Sequence, residues 1–163
     1  KELSGLVVFL RPLASDFHHT EATSMQYAVH EALRCIVTEG LENRFARHSL
    51  NDKALTAGLN AMGIKIFGDI AHKMPVVTAI EIPEGVDGKK VRSELLDYFG
   101  IEIATSFGPL DGKIWRIGNM GYSSQRRNIL LTLGALEAVL KENGVKVPSG
   151  DAVAAALEVY KNA

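Results

Sequence analysis

The sequence predicts an α+β fold, a two-layer sandwich with a mixed or antiparallel sheet and its helices on one face. Two observations carry that expectation. The hydrophobic period changes at Gly63, from helical spacing before it to strict alternation after it. Beyond Gly63 the segments run strand, strand, helix, strand, strand, helix, an order that suits a sheet covered by helices. Length agrees: 163 residues can bury most of the extended chain's surface without a metal or disulfide staple.

Taken in order, Gly5 to Leu10 is apolar enough for a short strand, and Pro12 turns Arg11 to Asp16 into loop. A long helix begins near Thr20 to Ser24, where Thr23 and Gln26 have capping-box spacing. Met25, Val29, Leu33, Ile36 and Val37 then recur at helical intervals. The pattern weakens at Gly40 and resumes through Leu41, Phe45, Ala54, Leu55, Leu59 and Met62. Asn51 and Asp52 predict a bend, and Gly63 a stop. Ile64 and Ile66 flank Lys65 as a short strand. Val76 to Ile82 is a better one, rich in β-branched residues and closed by Pro83.

Gly88 to Phe99 places Val91, Leu95, Leu96 and Phe99 along one side of a helix that ends at Gly100. Ile101 to Ile103 predicts a strand, Gly108 to Gly112 a turn, and Lys113 to Asn119 the next strand. Ser123 is the expected cap of a helix striped by Ile129, Leu133, Leu136 and Leu140 and ended by Gly144. After a linker at Pro148 to Gly150, Asp151 opens a last short helix holding Val153, Leu157 and Tyr160.

Composition removes several classes of function. Apolar residues are 47% and charged residues 23%, so the chain reads as globular. The apolar runs are too short for a membrane span, which predicts no membrane association. A formal net charge of −1 leaves no basic footprint for nucleic acid. The single cysteine, Cys35, excludes an internal disulfide, suits a reducing cytoplasm, and reads as a packing residue.

Arg116 is the most informative candidate. On a strand it shares a face with Ile114 and Gly118, while Trp115, Ile117 and Asn119 take the other. A guanidinium among such neighbours needs an anion, and its planar fork matches a carboxylate. A structural ion pair with Glu102 or Asp111 is the bland alternative to a bound ligand. His18, His19 and Thr20 stand at the start of the first helix, where free N–H groups favour phosphate. Plain capping is the alternative there. The five histidines lack ligand spacing, so no metal is expected. Glu42, Arg44 and Arg47 read as solvated or interface surface of a helix.

Three stretches together carry a resemblance. His18-His19-Thr20-Glu21-Ala22-Thr23-Ser24-Met25 runs on to His30-Glu31-Ala32-Leu33-Arg34. Gly40 to His48 (Gly-Leu-Glu-Asn-Arg-Phe-Ala-Arg-His) follows, then Trp115-Arg116-Ile117-Gly118-Asn119-Met120-Gly121-Tyr122. In this order and spacing, over roughly Phe17 to Lys141, they resemble the C-terminal part of class V, pyridoxal-phosphate-dependent aminotransferases of the glyoxylate-using branch. The ureidoglycine–glyoxylate type, which belongs to purine catabolism, is most alike, with the alanine– and serine–glyoxylate types behind it.

The resemblance implies that Arg116 binds the substrate's α-carboxylate. Thr20 would contact the phosphate of a pyridoxal 5'-phosphate held in the partner subunit of a homodimer. Glyoxylate and an amino donor would be the substrates. It implies, too, that residues 1–19 are a remnant or non-family segment and that 20–62 is a helical region joining large and small domains. Residues 63–145 would be the small C-terminal domain of a fold-type-I enzyme, and 146–163 a linker and short helix.

No lysine in the sequence, Lys1 included, has the family's Schiff-base context, so the chain alone is expected to be inactive. Phe17 stands where relatives carry a polar residue. A non-enzymatic α+β module that binds a small carboxylate, or one that dimerises, is the alternative reading.

Overall fold

The computed structural model describes residues 22–163. Gly5 to Leu10, the loop after it, Phe17, the two adjacent histidines and Thr20 lie outside the described residues. The chain divides into two compact units between Leu41 and Glu42.

In the first unit, helix α1 spans Thr23–Glu39. Its N-cap is Ala22 rather than the expected Thr23, one residue earlier than the capping-box reading places it. Gly40 ends it at φ 81°, a left-handed backbone value that a side chain would oppose. No residue of α1 is buried, and Met25, Tyr27, Val29 and Val37 are all more than half exposed. Cys35 is exposed rather than packed; its thiol lies 3.6 Å from Glu31 Oε1. Arg34, beside Glu31, holds that carboxyl down to about 2.

The second unit holds the sheet. Helix α2 spans Leu41–Ala61 without a break. The bend expected at Asn51 and Asp52 is absent because both side chains find partners. Asn51 bonds Ser124 and Tyr160, while Asp52 pairs with Lys73 and accepts from Thr78 Oγ1 at 3.1 Å. Strand β1 is Val77–Glu81 and helix α3 is Gly88–Phe99. Asp87 caps α3 through Lys89 and Lys90 N–H, and Gly100 closes it in the left-handed region, where the sequence put the stop.

Strand β2 is only Ala104–Thr105, later and shorter than the strand expected at Ile101 to Ile103. Ile103 turns into the core instead, at 2% exposure. Gly108–Leu110 forms a 3-10 turn, and β3 is Ile114–Gly118. The stretch from Ile64 to Ile66 is not a full strand. It touches β1 through one antiparallel bridge, Ile66 to Ile80, with both isoleucines buried. A second 3-10 turn, Gly121–Ser123, leads into helix α4 at Arg126–Glu142. Ser123 therefore lies before the helix, whose N-cap is Gln125. Helix α5 is Asp151–Lys161.

The sheet is antiparallel in the order β1-β3-β2, with Thr78 opposite Ile117 and Ile80 opposite Trp115. Those four residues share a face and are buried, as pleat alternation requires. Ile80, Trp115 and Ile117 join Leu55 and Leu59 of α2, Val91 and Leu95 of α3, Leu133 and Leu136 of α4, and Ala152 and Ala156 of α5 in one core. The helical stripe read from the sequence, Ile129, Leu133, Leu136 and Leu140, is buried throughout. The α+β architecture is thus as the sequence predicts, with the sheet's other face turned to a cleft.

Candidate carboxylate site

Arg116 sits at the middle of the central strand, directly opposite Ala79 on β1 and Ala104 on β2. Small residues on both sides leave the guanidinium room to lie along the sheet surface. The same alternation that buries Trp115 and Ile117 points Arg116 to the opposite face, where it is half-buried. There it lines an open cleft of about 720 Å³ with Arg92, Glu102, Phe107, Gly118 and Met120 among its walls.

The fork of Arg116 is held on one edge only. Nε and Nη2 both donate to the Thr105 carbonyl, at 3.3 and 2.8 Å. The Phe107 ring covers the guanidinium plane at 5.7 Å, within cation–π range. A guanidinium has five N–H donors, so the Nη1–Nη2 edge keeps donors in the geometry a carboxylate accepts. Neither ion pair foreseen as the alternative forms. Glu102 is bound by Arg92, and among the described residues no carboxylate pairs with Arg116.

The loop after β3 is fastened from the helix side. Arg47 Nη1 donates to the carbonyls of Gly121 and Ser124, at 2.9 and 2.5 Å. His48 Nε2 accepts from Gly121 N–H at 3.0 Å, which places the ring proton on Nδ1, 2.7 Å from the Arg44 carbonyl. Asn51 Nδ2 donates to Ser124 Oγ at 3.1 Å, and Tyr160 O–H donates to Asn51 Oδ1 at 2.6 Å. These bonds fix residues 119–124, and with them Met120 on the cleft wall.

Sequence reasoning missed this clamp. Arg47, read with Glu42 and Arg44 as solvated or interface surface, grips two carbonyls, and His48 is buried at 6% exposure. The available signal was a polar run, Arg47, His48 and Asn51, at spacing that puts the first two beside the third on one side of a helix.

Pyridoxal-phosphate chemistry needs a lysine amine at the cofactor. None of the residues lining the Arg116 cleft is lysine. Lys73, which is mostly buried, is committed to Asp52 and Thr78. The described residues therefore do not by themselves fit that cofactor, and Thr20, the expected phosphate contact, lies outside them. Among the described residues no cluster of His, Cys, Asp or Glu has metal-site geometry, and no helix is long and apolar enough to cross a membrane.

A half-buried arginine aimed from a small antiparallel sheet into a cleft, with its Nη1–Nη2 edge open, is an arrangement that suits a small carboxylate. Comparison with known proteins shows that the chain is homologous to part of the class V aminotransferases. It is 58% identical to the (S)-ureidoglycine–glyoxylate transaminase of Bacillus subtilis over 146 residues, which is 90% of this chain and 35% of that enzyme. The crystal structure of the ureidoglycine–glyoxylate aminotransferase from Bacillus subtilis superposes with a TM-score of 0.86 at 57% identity, covering 89% of this chain and 38% of that one. The alanine–glyoxylate aminotransferase of Callithrix jacchus is 36% identical over 126 residues, 77% of this chain and 30% of that enzyme. No family model matches. The chain thus spans about a third of the length of the curated relatives it matches.

Proposed function

We propose that this chain is the C-terminal, carboxylate-binding part of an aminotransferase that passes amino groups to glyoxylate. The observation that carries the reading is the open Nη1–Nη2 edge of Arg116, with which no carboxylate pairs among the described residues. In this role Arg116 receives the α-carboxylate of donor or acceptor. Thr105 O fixes the guanidinium's orientation, and Phe107 shields its face from water. Pyridoxal phosphate supplies the amino-group carrier in the relatives' class of chemistry, and here its lysine belongs to another part of the protein.

The chain alone is accordingly a carboxylate binder without transaminase activity. The ureidoglycine type, and with it purine catabolism, follows from the higher identity to that enzyme than to the alanine type. Residues 20–62 join the two domains and 63–145 form the small one. The unburied apolar stripe of α1, Met25, Val29 and Val37, supports a homodimer in which Thr20 meets the partner subunit's cofactor phosphate. A single cysteine, Cys35, which leaves no internal disulfide, supports a cytoplasmic location.

The test is glyoxylate binding by the 163-residue chain, followed through the Arg116 Nε–H resonance in nuclear magnetic resonance. Charge-assisted hydrogen bonds contribute about 1.5–3 kcal/mol, so Arg116→Ala should weaken binding by about tenfold or more. Arg116→Lys, which keeps the charge but loses the fork, should recover only part of it. Unchanged binding in Arg116→Ala defeats the reading. Mixed with pyridoxal phosphate, the chain should give no specific visible absorption band; a saturable band would place the amine on this chain after all.

A further inference from the structure

The Arg116 cleft contains a carboxylate of its own. Glu102 lines it, two residues before Ala104, which lies directly across from Arg116. Pairing with β3 begins only at Ala104, but Glu102 and Arg116 line the same cleft and both carry long side chains. Left to itself, Glu102 can swing to the open edge of Arg116 and occupy the place a substrate carboxylate needs.

Arg92 prevents this. It projects from α3, donates from Nε to the Ile103 carbonyl at 3.0 Å, and pairs through Nη2 with Glu102 Oε1. The bond to the Ile103 carbonyl anchors the guanidinium to the backbone next to Glu102, so the pair is oriented rather than merely adjacent. Arg92 also cancels the Glu102 charge, which would otherwise repel an incoming anion from a cleft whose other cation is Arg116.

We propose that Arg92 is a positioning residue: it sequesters Glu102 and so keeps Arg116 open to small carboxylates. This rests on the carboxylate-binding reading of Arg116 but concerns a different residue. The side chains of Arg92 and Glu102 are 38% and 64% exposed, so the competing Glu102–Arg116 pair is weak. Exposed pairs of this kind are worth about 0.2–1 kcal/mol, which converts to a loss of glyoxylate affinity of about 1.4- to 5-fold.

Arg92→Met keeps most of the apolar stem and removes the charge. In the ligand-free 163-residue chain, the Arg116 Nε–H resonance should move in Arg92→Met and return in the double variant Arg92→Met/Glu102→Gln. Glyoxylate affinity should fall about 1.4- to 5-fold in the single variant and recover in the double. A merely structural role for Arg92 predicts no rescue by Glu102→Gln. An Arg116 resonance and affinity unmoved by Arg92→Met, with Arg116→Ala still weakening binding, overturns the role of Arg92 alone. If Arg116→Ala leaves binding intact, or the unmodified chain shows no saturable glyoxylate shift, the carboxylate-site reading fails and this role falls with it.

Discussion

Two glycines in the second unit should respond to alanine with opposite signs. Gly58 lies inside α2 and Gly134 inside α4, so both carry the helix penalty of glycine, about 0.5–1 kcal/mol relative to alanine. On that ground alone both substitutions should stabilise. The surroundings differ. A Cβ built at Gly58 comes within 2.4 and 2.7 Å of the two Leu133 methyls and 2.8 Å of the Ala152 carbonyl oxygen. Leu133 is fully buried, and Ala152 O belongs to the backbone of α5, so relief requires moving a core leucine and a helix together. Overpacking of this kind costs about 1–3 kcal/mol, which outweighs the propensity gain.

At Gly134 the nearest atom is Val153 Cγ2, at 3.9 Å, an ordinary contact. Gly58→Ala should therefore lose about 1–2 kcal/mol and Gly134→Ala gain about 0.5–1 kcal/mol. For a unit of this size that is a Tm change of about 4 °C per kcal/mol. Urea denaturation of the two variants, with m-values compared to confirm an unchanged transition, measures it. Equal stabilisation in both would show that α2, α4 and α5 do not meet as closely as described.

Two further outcomes follow from the same unit. Tyr160→Phe should cost about 1–3 kcal/mol, because Asn51 Oδ1, on a residue 3% exposed, loses its donor while the Arg126–ring contact at 4.9 Å remains. A loss too small to measure by urea denaturation would refute the bond. Burial pushes the Tyr160 phenol up to about 12. Its stabilisation is present in full below the ordinary tyrosine range near ~10 and is lost as pH rises towards the folded value. An alkaline absorbance titration should show one late phenol that Tyr160→Phe removes. Glu137 accepts from Lys141 and from Gly150 N–H, and those bonds, Lys141 first, hold its carboxyl below the usual range. That contribution is present above the unfolded glutamate value of ~4.3 and disappears as pH falls through the lower folded one. Amide exchange at the start of α5 should speed up over that acid range, and in Glu137→Gln at neutral pH; identical exchange in the variant would show that the carboxylate does not hold α5.

What the sequence made legible was whatever local pattern determines. Helix α3 and its stop at Gly100, β1 and β3, and the stripe of α4 follow from period and from glycine conformation, and each lies within about two residues of its expectation. Alternation also put Arg116 on the face opposite Trp115 before any coordinate did. The misses share a cause: each depends on a partner distant in sequence. Ile101 to Ile103 alternates like a strand, yet Ile103 fills the core and pairing with β3 begins only at Ala104. Asn51 and Asp52 look like a break until Ser124, Tyr160, Lys73 and Thr78 supply their bonds. A pair of Arg116 with Glu102 or Asp111 stayed open as the alternative to a ligand because the sequence does not show that Arg92 reaches Glu102 first.

Those distant bonds explain how the proposed carboxylate site can keep its shape on so short a strand. Arg116 takes its orientation from Thr105 O on one flank, across the β2–β3 pairing. Beyond the other end of β3, Arg47 and His48 hold Gly121, and Asn51 holds Ser124, so the backbone leaving Gly118 has one course. Neither flank is rigid alone: β2 is two residues long, and the 3-10 turn after Met120 is three. Each is stiffened by a helix, β2 through Arg92 of α3 at the Ile103 carbonyl and the turn through α2. A guanidinium held at one edge and shaped at both ends loses little further freedom when an anion arrives, and preorganisation of that kind is how a small binding group gains affinity.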